Sequence, residues 1–266
     1  PNEAASGAPV PTSPASCADC AGCELRECLI SLSKQHHRRV HLSHQGDSGT
    51  IWPYYTEVLN RLGGCTRLAN IGSGHHFAFE GLVKEQFPHI HVQSFDRGMP
   101  EQLPTVCHYQ ELDIENAAAL SQTENSTFDV VTIFEVLEHI DDTDQCLELA
   151  HHLLRSGGEL IVASPNLASI YGRIELALGY QPHVLEVSNR RGPLGMGLFG
   201  KMNYSHEGEP IHHLRGITLR ALRELIELHN FEITRTYGYL SGVPFWPKSL
   251  FSGLGSSVLV IAKPRP

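Results

Sequence analysis

Short apolar segments alternate with amphipathic segments over most of the chain, and this is its strongest pattern. Apolar runs of strand length lie at 68–71, 90–95, 106–112, 130–134, 160–163, 231–237 and 258–262. Stretches with helical spacing separate several of them, at 78–87, 115–120, 144–154 and 219–228. This alternation is typical of parallel β-α-β units, whose sheet is covered by helices on both faces. The sequence therefore predicts an open twisted α/β sheet of about seven strands.

Composition divides the chain into three parts. Residues 1–16 consist mainly of Pro, Ala, Ser and Gly, which predicts a flexible tail. Residues 17–49 form a Cys- and His-rich segment, and residues 50–266 form the α/β domain. Within that domain, residues 164–215 make a connection too long for an ordinary loop. We interpret this connection as an insertion that covers the substrate.

The overall charge narrows the range of partners. Twenty basic and 29 acidic residues give a formal net charge of −9. This balance argues against bulk binding of nucleic acid, which requires a basic face. No apolar run approaches the ~18 residues of a membrane span, and the N-terminus lacks a secretory pattern. We therefore expect a cytoplasmic protein with a small-molecule partner, whereas its oligomeric state is open.

Glycines and acids stand where the predicted strands end. The first strand runs into Gly72, Ser73 and Gly74, and the second ends at Asp96, 24 residues after Gly72. Glycines at this position let the backbone approach a ligand, and an acid at this distance is placed to bind a ribose diol. Asp113 follows the third strand in the same way. Ligands of open α/β sheets bind at this edge.

Two further blocks make a family resemblance specific. Residues 128–140 read FDVVTIFEVLEHI and residues 153–162 read LLRSGGELIV. With the glycine turn, they resemble the class I S-adenosylmethionine-dependent methyltransferases over about residues 68–262. Within this superfamily the chain most resembles the subgroup that includes ubiquinone-biosynthesis O-methyltransferases and many uncharacterised bacterial enzymes. The resemblance implies a Rossmann-like, doubly wound, seven-stranded sheet, mostly parallel with an antiparallel C-terminal strand.

The same resemblance assigns roles at the cofactor site. The glycine turn would pass under the methionine part of S-adenosylmethionine, and Glu135 would stand beside the methyl group. The remaining candidates for contact with the ribose, the adenine and the turn are Asn70, Asp96, Arg97, Asp113 and Ile114. The chain departs from the family pattern at Asn70, where an acid is usual, and at His76, where a third glycine is usual.

Glu135, Glu138 and His139 are spaced at i, i+3 and i+4, which places them on one face of a helix. In the resembled subgroup this block holds a divalent cation near the substrate, which would acidify an acceptor hydroxyl. Alternatively, His139 acts alone as a general base. Glu138 is the second catalytic candidate. A third hypothesis is that residues 135–139 only cap a helix and order the cofactor loop.

Four cysteines stand close together near the N-terminus. Cys17, Cys20, Cys23 and Cys28 follow the spacing C-x2-C-x2-C-x4-C. Close thiolates favour zinc or an iron–sulfur cluster, although the spacing matches no standard motif. Labile thiols or local disulfides are the alternative.

Polar and aromatic residues of the long connection are candidates for contact with the acceptor. They are Tyr171, Arg173, His183, Tyr204, His206, His212 and His213. The resulting prediction is methyl transfer from S-adenosylmethionine to an oxygen, or a nitrogen, of a small molecule. The alternatives are a non-catalytic binding module on the same fold and a metal- or redox-sensing protein that uses the cysteine cluster.

Overall fold

A computed structural model describes residues 52–198, 200, 210–241, 243 and 246–265. One seven-stranded sheet dominates it, in the order β3-β2-β1-β4-β5-β7-β6. The strands are β1 Arg67–Ile71, β2 His91–Asp96, β3 His108–Glu111, β4 Phe128–Phe134, β5 Leu154–Pro165, β6 Phe231–Tyr239 and β7 Ser257–Pro264. Strands β1 to β5 pair in parallel, whereas β7 lies antiparallel between β5 and β6. The predicted fold class is confirmed.

The helices cover both faces of this sheet. They are α1 Tyr55–Leu59, α2 Ala78–Gln86, α3 Ala119–Gln122, α4 Thr143–Leu153, α5 Ile170–Ala177 and α6 Leu219–Leu228. The side chains of Asp142 and Thr218 cap α4 and α6. Each accepts a hydrogen bond from the backbone N–H three residues further along the chain, which fixes where the helix begins. None of the helices in the described ranges has the length and apolar character needed to cross a bilayer.

Two apolar clusters, one for each face, hold the sheet between its helices. Strand β4 lies at the centre, and both faces of it are buried, since Val131 and Ile133 belong to one cluster and Val130 and Phe134 to the other. A central parallel strand is therefore apolar along nearly its whole length. The carboxyl ends of β1, β2, β3 and β4 consequently meet at one edge of a rigid sheet.

Two predicted helical stretches differ from the structure. Residues 115–118 form turns, because the side chains of Asp113 and Asn116 accept hydrogen bonds from backbone N–H groups two residues on, and α3 begins only at Ala119. The block from Glu135 to His139 is also a turn rather than the start of a helix. The cysteine cluster (Cys17, Cys20, Cys23 and Cys28), Tyr204 and His206 lie outside the described residues.

Candidate functional site

The turn after β1 is fixed tightly to the end of β2. The Gly72 N–H donates to the Phe95 carbonyl (2.8 Å), and the Gly74 N–H donates to Asp96 Oδ2 (2.6 Å). Gly72 has φ +75°, and a Cβ there would lie 2.2 Å from Val136 Cγ2. No side chain fits at this position, so the turn keeps bare backbone at the sheet edge.

The other candidates at this edge follow β2 and β3. Asp96 ends β2, and its two carboxylate oxygens accept from the N–H groups of Gly74 and Arg97. The Arg97 side chain is exposed and pairs with Glu115 (3.3 Å). Asp113 is exposed, whereas Ile114 is buried in the core below it. The fold therefore brings a carboxylate, the glycine turn and an apolar side chain to one edge, as the sequence predicts.

Asn70 lies below this surface rather than on it. It is 3% exposed; its Nδ2 donates to Glu80 Oε1 (2.7 Å), and its Oδ1 accepts from the Thr132 hydroxyl (2.8 Å). Burial raises the pKa of Glu80, although hydrogen bonds from Asn70 and Ser94 oppose the shift. The side chain of Asn70 is therefore fully occupied inside the fold. His76 is exposed in the turn before α2.

Two carboxyl groups follow β4, the half-buried Glu135 and the buried Glu138. Glu135 adopts φ +55°, and its Oε1 accepts from the hydroxyl of the fully buried Tyr54 (3.1 Å). Burial and the neighbouring Glu138 raise the pKa of Glu135 well above its usual range, and burial also raises that of Glu138. The left-handed conformation of Glu135 breaks the helical spacing that the sequence suggested.

The long connection contributes a third ligand-type side chain at this point. Atoms of Glu138, His139 and His213 that are able to bind a metal lie within 4.8 Å of one another, although His213 is 74 residues further along the chain. Glu138 is 1% exposed; Ser164 donates to its Oε2 (3.3 Å), while its Oε1 has no partner in the described part of the chain. We call this group the Glu138–His139–His213 cluster.

Backbone carbonyls hold both histidines of the cluster. His139 Nδ1 contacts the His212 carbonyl (3.1 Å), and His213 Nδ1 contacts the Val184 carbonyl (2.9 Å). A carbonyl only accepts, so each Nδ1 carries the proton and each Nε2 keeps its lone pair. Partial burial lowers the pKa of both imidazoles, which favours their neutral forms.

The remaining described candidates of the long connection are not members of this cluster. Tyr171 donates its hydroxyl to the Ser241 carbonyl, and Arg173 lines a cavity of about 460 Å³ with residues of the α6 N-terminus. His212 is exposed and contributes its carbonyl to His139. His183 is bound by the buried Glu175.

Sequence reasoning missed three residues here: Glu80, Ser164 and Glu175. Each is a polar residue that is buried among apolar side chains. In the sequence, only its place among apolar neighbours indicates that it is buried. Such a signal shows that a partner is needed but does not show which residue supplies it.

Comparisons with known proteins agree with this geometry. Residues 71–183, fewer than half of the chain, match the sequence profile of a methyltransferase domain. A solved S-adenosylmethionine-dependent methyltransferase from Thermotoga maritima, described as a possible histamine N-methyltransferase, is 17% identical with a TM-score of 0.52. The match covers 90% of this chain and 98% of that one.

A second structure, an O-methyltransferase family protein from Burkholderia thailandensis, is 13% identical with a TM-score of 0.50. That match covers 79% of this chain and 55% of the other. Comparison with curated proteins found no match. At these identities the structural likeness establishes the fold, and no subgroup is singled out. Residues 71–183 thus match a methyltransferase domain, and the whole fold is shared with solved S-adenosylmethionine-dependent methyltransferases.

Proposed function

We propose that the protein is an S-adenosylmethionine-dependent methyltransferase that methylates an oxygen of a small-molecule acceptor, and that this acceptor docks at the Glu138–His139–His213 cluster. The observation that carries this proposal is the position of the cluster. Its first two members follow β4, next to Glu135 and across from the glycine turn, where the methyl donor is expected. The connection between β5 and α6 adds the third member, so the cluster forms where this connection meets the end of β4. In-line positioning of the two reactants is the main task of such a site.

The donor is expected to lie along the edge formed by β1, β2 and β3. The turn at Gly72, Ser73 and Gly74 would hold the methionine part, and there is open space beside Gly74, where a Cβ would meet nothing within 4 Å. The Asp96 carboxylate then accepts from the ribose hydroxyls, and Asp113 with Ile114 borders the adenine. Asn70 stands where the family pattern has an acid, and its amide binds the buried carboxyl group of Glu80.

The chemistry of the cluster fits a divalent cation. One carboxylate and two neutral imidazoles form a ligand set for a borderline metal ion, and both imidazoles have the oxygen partner that metal-binding histidines typically show. The unpartnered Glu138 Oε1 is a further indication. A bound cation would lower the pKa of an acceptor hydroxyl. The lowered pKa of His139 favours its neutral imidazole, which is the form that binds a metal ion.

The acceptor atom is tested with matched small molecules. The full chain is incubated with S-adenosylmethionine and phenol, aniline or thiophenol, and both S-adenosylhomocysteine and the methylated product are measured by mass spectrometry. We expect a methyl ether from phenol. Methylation of aniline or thiophenol alone would contradict the oxygen acceptor.

The cation is tested by a readout that does not depend on turnover. Chelator-treated protein is titrated with Mn²⁺ or Zn²⁺ by calorimetry, alongside the Glu138→Gln and His213→Ala variants. We expect one site that both variants lose. A matched control is His89→Gln, which removes an exposed histidine before β2. Equal binding in all four proteins would contradict the cation site.

A further inference from the structure

A buried carboxylate and an imidazole are paired next to the cluster. Glu175 lies on α5, and its side chain is fully buried. Both of its oxygens lie 2.9 Å from His183 Nδ1, and the His183 backbone N–H also donates to Oε2 (3.1 Å). The carboxylate is thus committed entirely to one residue. The His183 side chain remains 14% exposed.

This pairing determines what the imidazole is able to do. A carboxylate only accepts, so His183 Nδ1 carries the proton and Nε2, on the opposite edge of the ring, keeps its lone pair. A buried carboxylate in this position also stabilises the imidazolium that forms when Nε2 takes a second proton. The arrangement is therefore that of a histidine prepared to accept a proton.

His139 and His213 are built differently. Their Nδ1 atoms contact neutral backbone carbonyls, and partial burial lowers the pKa of both. Of these three histidines, His183 alone has a carboxylate within hydrogen-bond distance in the structure. The three imidazoles thus differ in the partner of Nδ1, which is a backbone carbonyl for His139 and His213 and a carboxylate for His183.

The position of His183 connects it to the cluster. The carbonyl of the next residue, Val184, accepts from His213 Nδ1, and the charge of His183 lowers the pKa of His213. The titratable groups recorded around this point are Glu175 from α5, His213 from the segment before α6, and Glu186, which acts on both cluster histidines.

We propose that His183, oriented by Glu175, is the group that removes the proton from the acceptor hydroxyl. The assignment rests on the proposed oxygen acceptor. In the step, the O–H proton passes to His183 Nε2, and an oxygen lone pair forms the new bond to the methyl carbon. The carbon–sulfur bond of the sulfonium breaks, and its electron pair stays on sulfur as S-adenosylhomocysteine. His183 is then a catalytic residue, and Glu175 is a positioning residue.

A purely structural role makes a different prediction. The pair also joins α5 to the following segment, since the His183 backbone N–H donates to Glu175 Oε2. If that link were its whole purpose, losing the pair would slow the methylation of every acceptor equally. A base is needed only when the acceptor hydroxyl is still protonated. Acceptors of different acidity therefore separate the two roles.

The experiment compares phenol, which is protonated at neutral pH, with pentafluorophenol, which is largely ionised. Single-turnover formation of S-adenosylhomocysteine is measured for the unmodified chain and for His183→Gln, Glu175→Gln and the control His89→Gln. We expect His183→Gln to lower the rate with phenol by about 10²-fold or more, which is the usual contribution of a general base. With pentafluorophenol the loss should stay within about threefold. Glu175→Gln should show the same selectivity with a smaller loss.

The outcomes separate the two proposals. Equal losses on both phenols, or no loss on either, would overturn the assignment of His183 and leave the oxygen acceptor standing. If the unmodified chain methylated neither phenol while methylating aniline, the oxygen acceptor would fail and the assignment with it. Thermal unfolding and calorimetric binding of S-adenosylhomocysteine by each variant identify a variant that has simply failed to fold.

Discussion

The side-chain amide of Asn70 at the end of β1 donates a 2.7 Å hydrogen bond to the buried carboxyl of Glu80 on α2. The Ser94 hydroxyl donates to the same Oε1 atom, also at 2.7 Å. Glu80 Oε2 has no partner among the described residues. One oxygen of the Glu80 carboxyl group therefore accepts two hydrogen bonds, and the other accepts none from the described residues. The group lies next to the strand end that leads into the glycine turn, where the methyl donor is expected.

Glu80→Gln should stabilise the protein at alkaline pH. Burial raises the pKa of Glu80, so the folded state favours its protonated form. The stability that this group contributes is full below the usual carboxyl pKa and is lost as pH rises through the raised value. Glutamine keeps the accepting oxygen and stays neutral. We expect its free energy of unfolding to exceed that of the unmodified chain by about 1–2 kcal/mol at pH 8 in urea titrations.

The difference should vanish near pH 4, where Glu80 is protonated in both states. Glu85→Gln is the matched control, because Glu85 is exposed on the same helix. A loss of stability in Glu80→Gln at pH 8 would show that the carboxylate is stabilised in a way that the hydrogen bonds of Asn70 and Ser94 do not explain.

Gly72→Ala should destabilise the fold and weaken donor binding together. The new Cβ would meet Val136 Cγ2 at 2.2 Å, and alanine is strained at φ +75°. We expect a loss of about 2–4 kcal/mol in the free energy of unfolding. Gly64→Ala is the control, since a Cβ there has nothing within 4 Å. Adding Val136→Ala should restore part of the loss, and an unchanged double variant would mean that backbone strain alone is responsible.

Asp96→Asn should weaken the binding of S-adenosylhomocysteine without unfolding the glycine turn. Asparagine is still able to accept from the Gly74 N–H through Oδ1, whereas the charge that would bind the ribose hydroxyls is lost. Hydrogen bonds to a charged group contribute about 1.5–3 kcal/mol, so we expect the Kd to rise roughly 10- to 100-fold in calorimetry. Glu232→Gln on β6 serves as the control. An unchanged Kd would remove Asp96 from the ribose site.

The sheet was predictable because each strand is marked in the sequence by its own short run of apolar residues. The apolar run at 130–134 identifies β4, and the helical spacing of apolar residues over 219–228 predicts the bounds of α6 as the structure has them. The stretch at 115–118 was predicted wrongly because the side chains of Asp113 and Asn116 compete with helical hydrogen bonds. The spacing of apolar residues does not indicate when side-chain oxygens compete with the backbone hydrogen bonds of a helix.

The candidate site was predictable only in part, for a different reason. The glycine turn and Asp96 follow strands and were found by their positions. His213 joins Glu138 from 75 residues away, and Glu175 meets His183 across the end of a helix. Such contacts depend on the path of the connection between β5 and α6, which has no periodicity to indicate it. The helical spacing of Glu135 and Glu138 was misleading, because Glu135 adopts a left-handed conformation.

The aspartate of the FDVV block has a structural role that leads to a last prediction. Asp129 Oδ2 accepts from the N–H groups of Thr66 (2.6 Å) and Arg67 (2.9 Å), and Oδ1 accepts from the Arg155 guanidinium. Burial opposes ionisation, but these hydrogen bonds prevail and hold the pKa of Asp129 well below its usual range. The carboxylate therefore ties the start of β1 to β4 and to β5.

Asp129→Asn should lower the free energy of unfolding by about 2–3 kcal/mol at pH 7, since asparagine loses the charge that strengthens these hydrogen bonds. A depressed pKa contributes stability above the unfolded value of about 3.9, and this contribution is lost as pH falls through the folded value. The difference between variant and unmodified chain should thus shrink when urea titrations are repeated at pH 3. Glu124→Gln is the matched control, because Glu124 also pairs with Arg67 but is 63% exposed, and an exposed pair contributes little. A pH-independent difference would attribute the loss to packing rather than to the charge of Asp129.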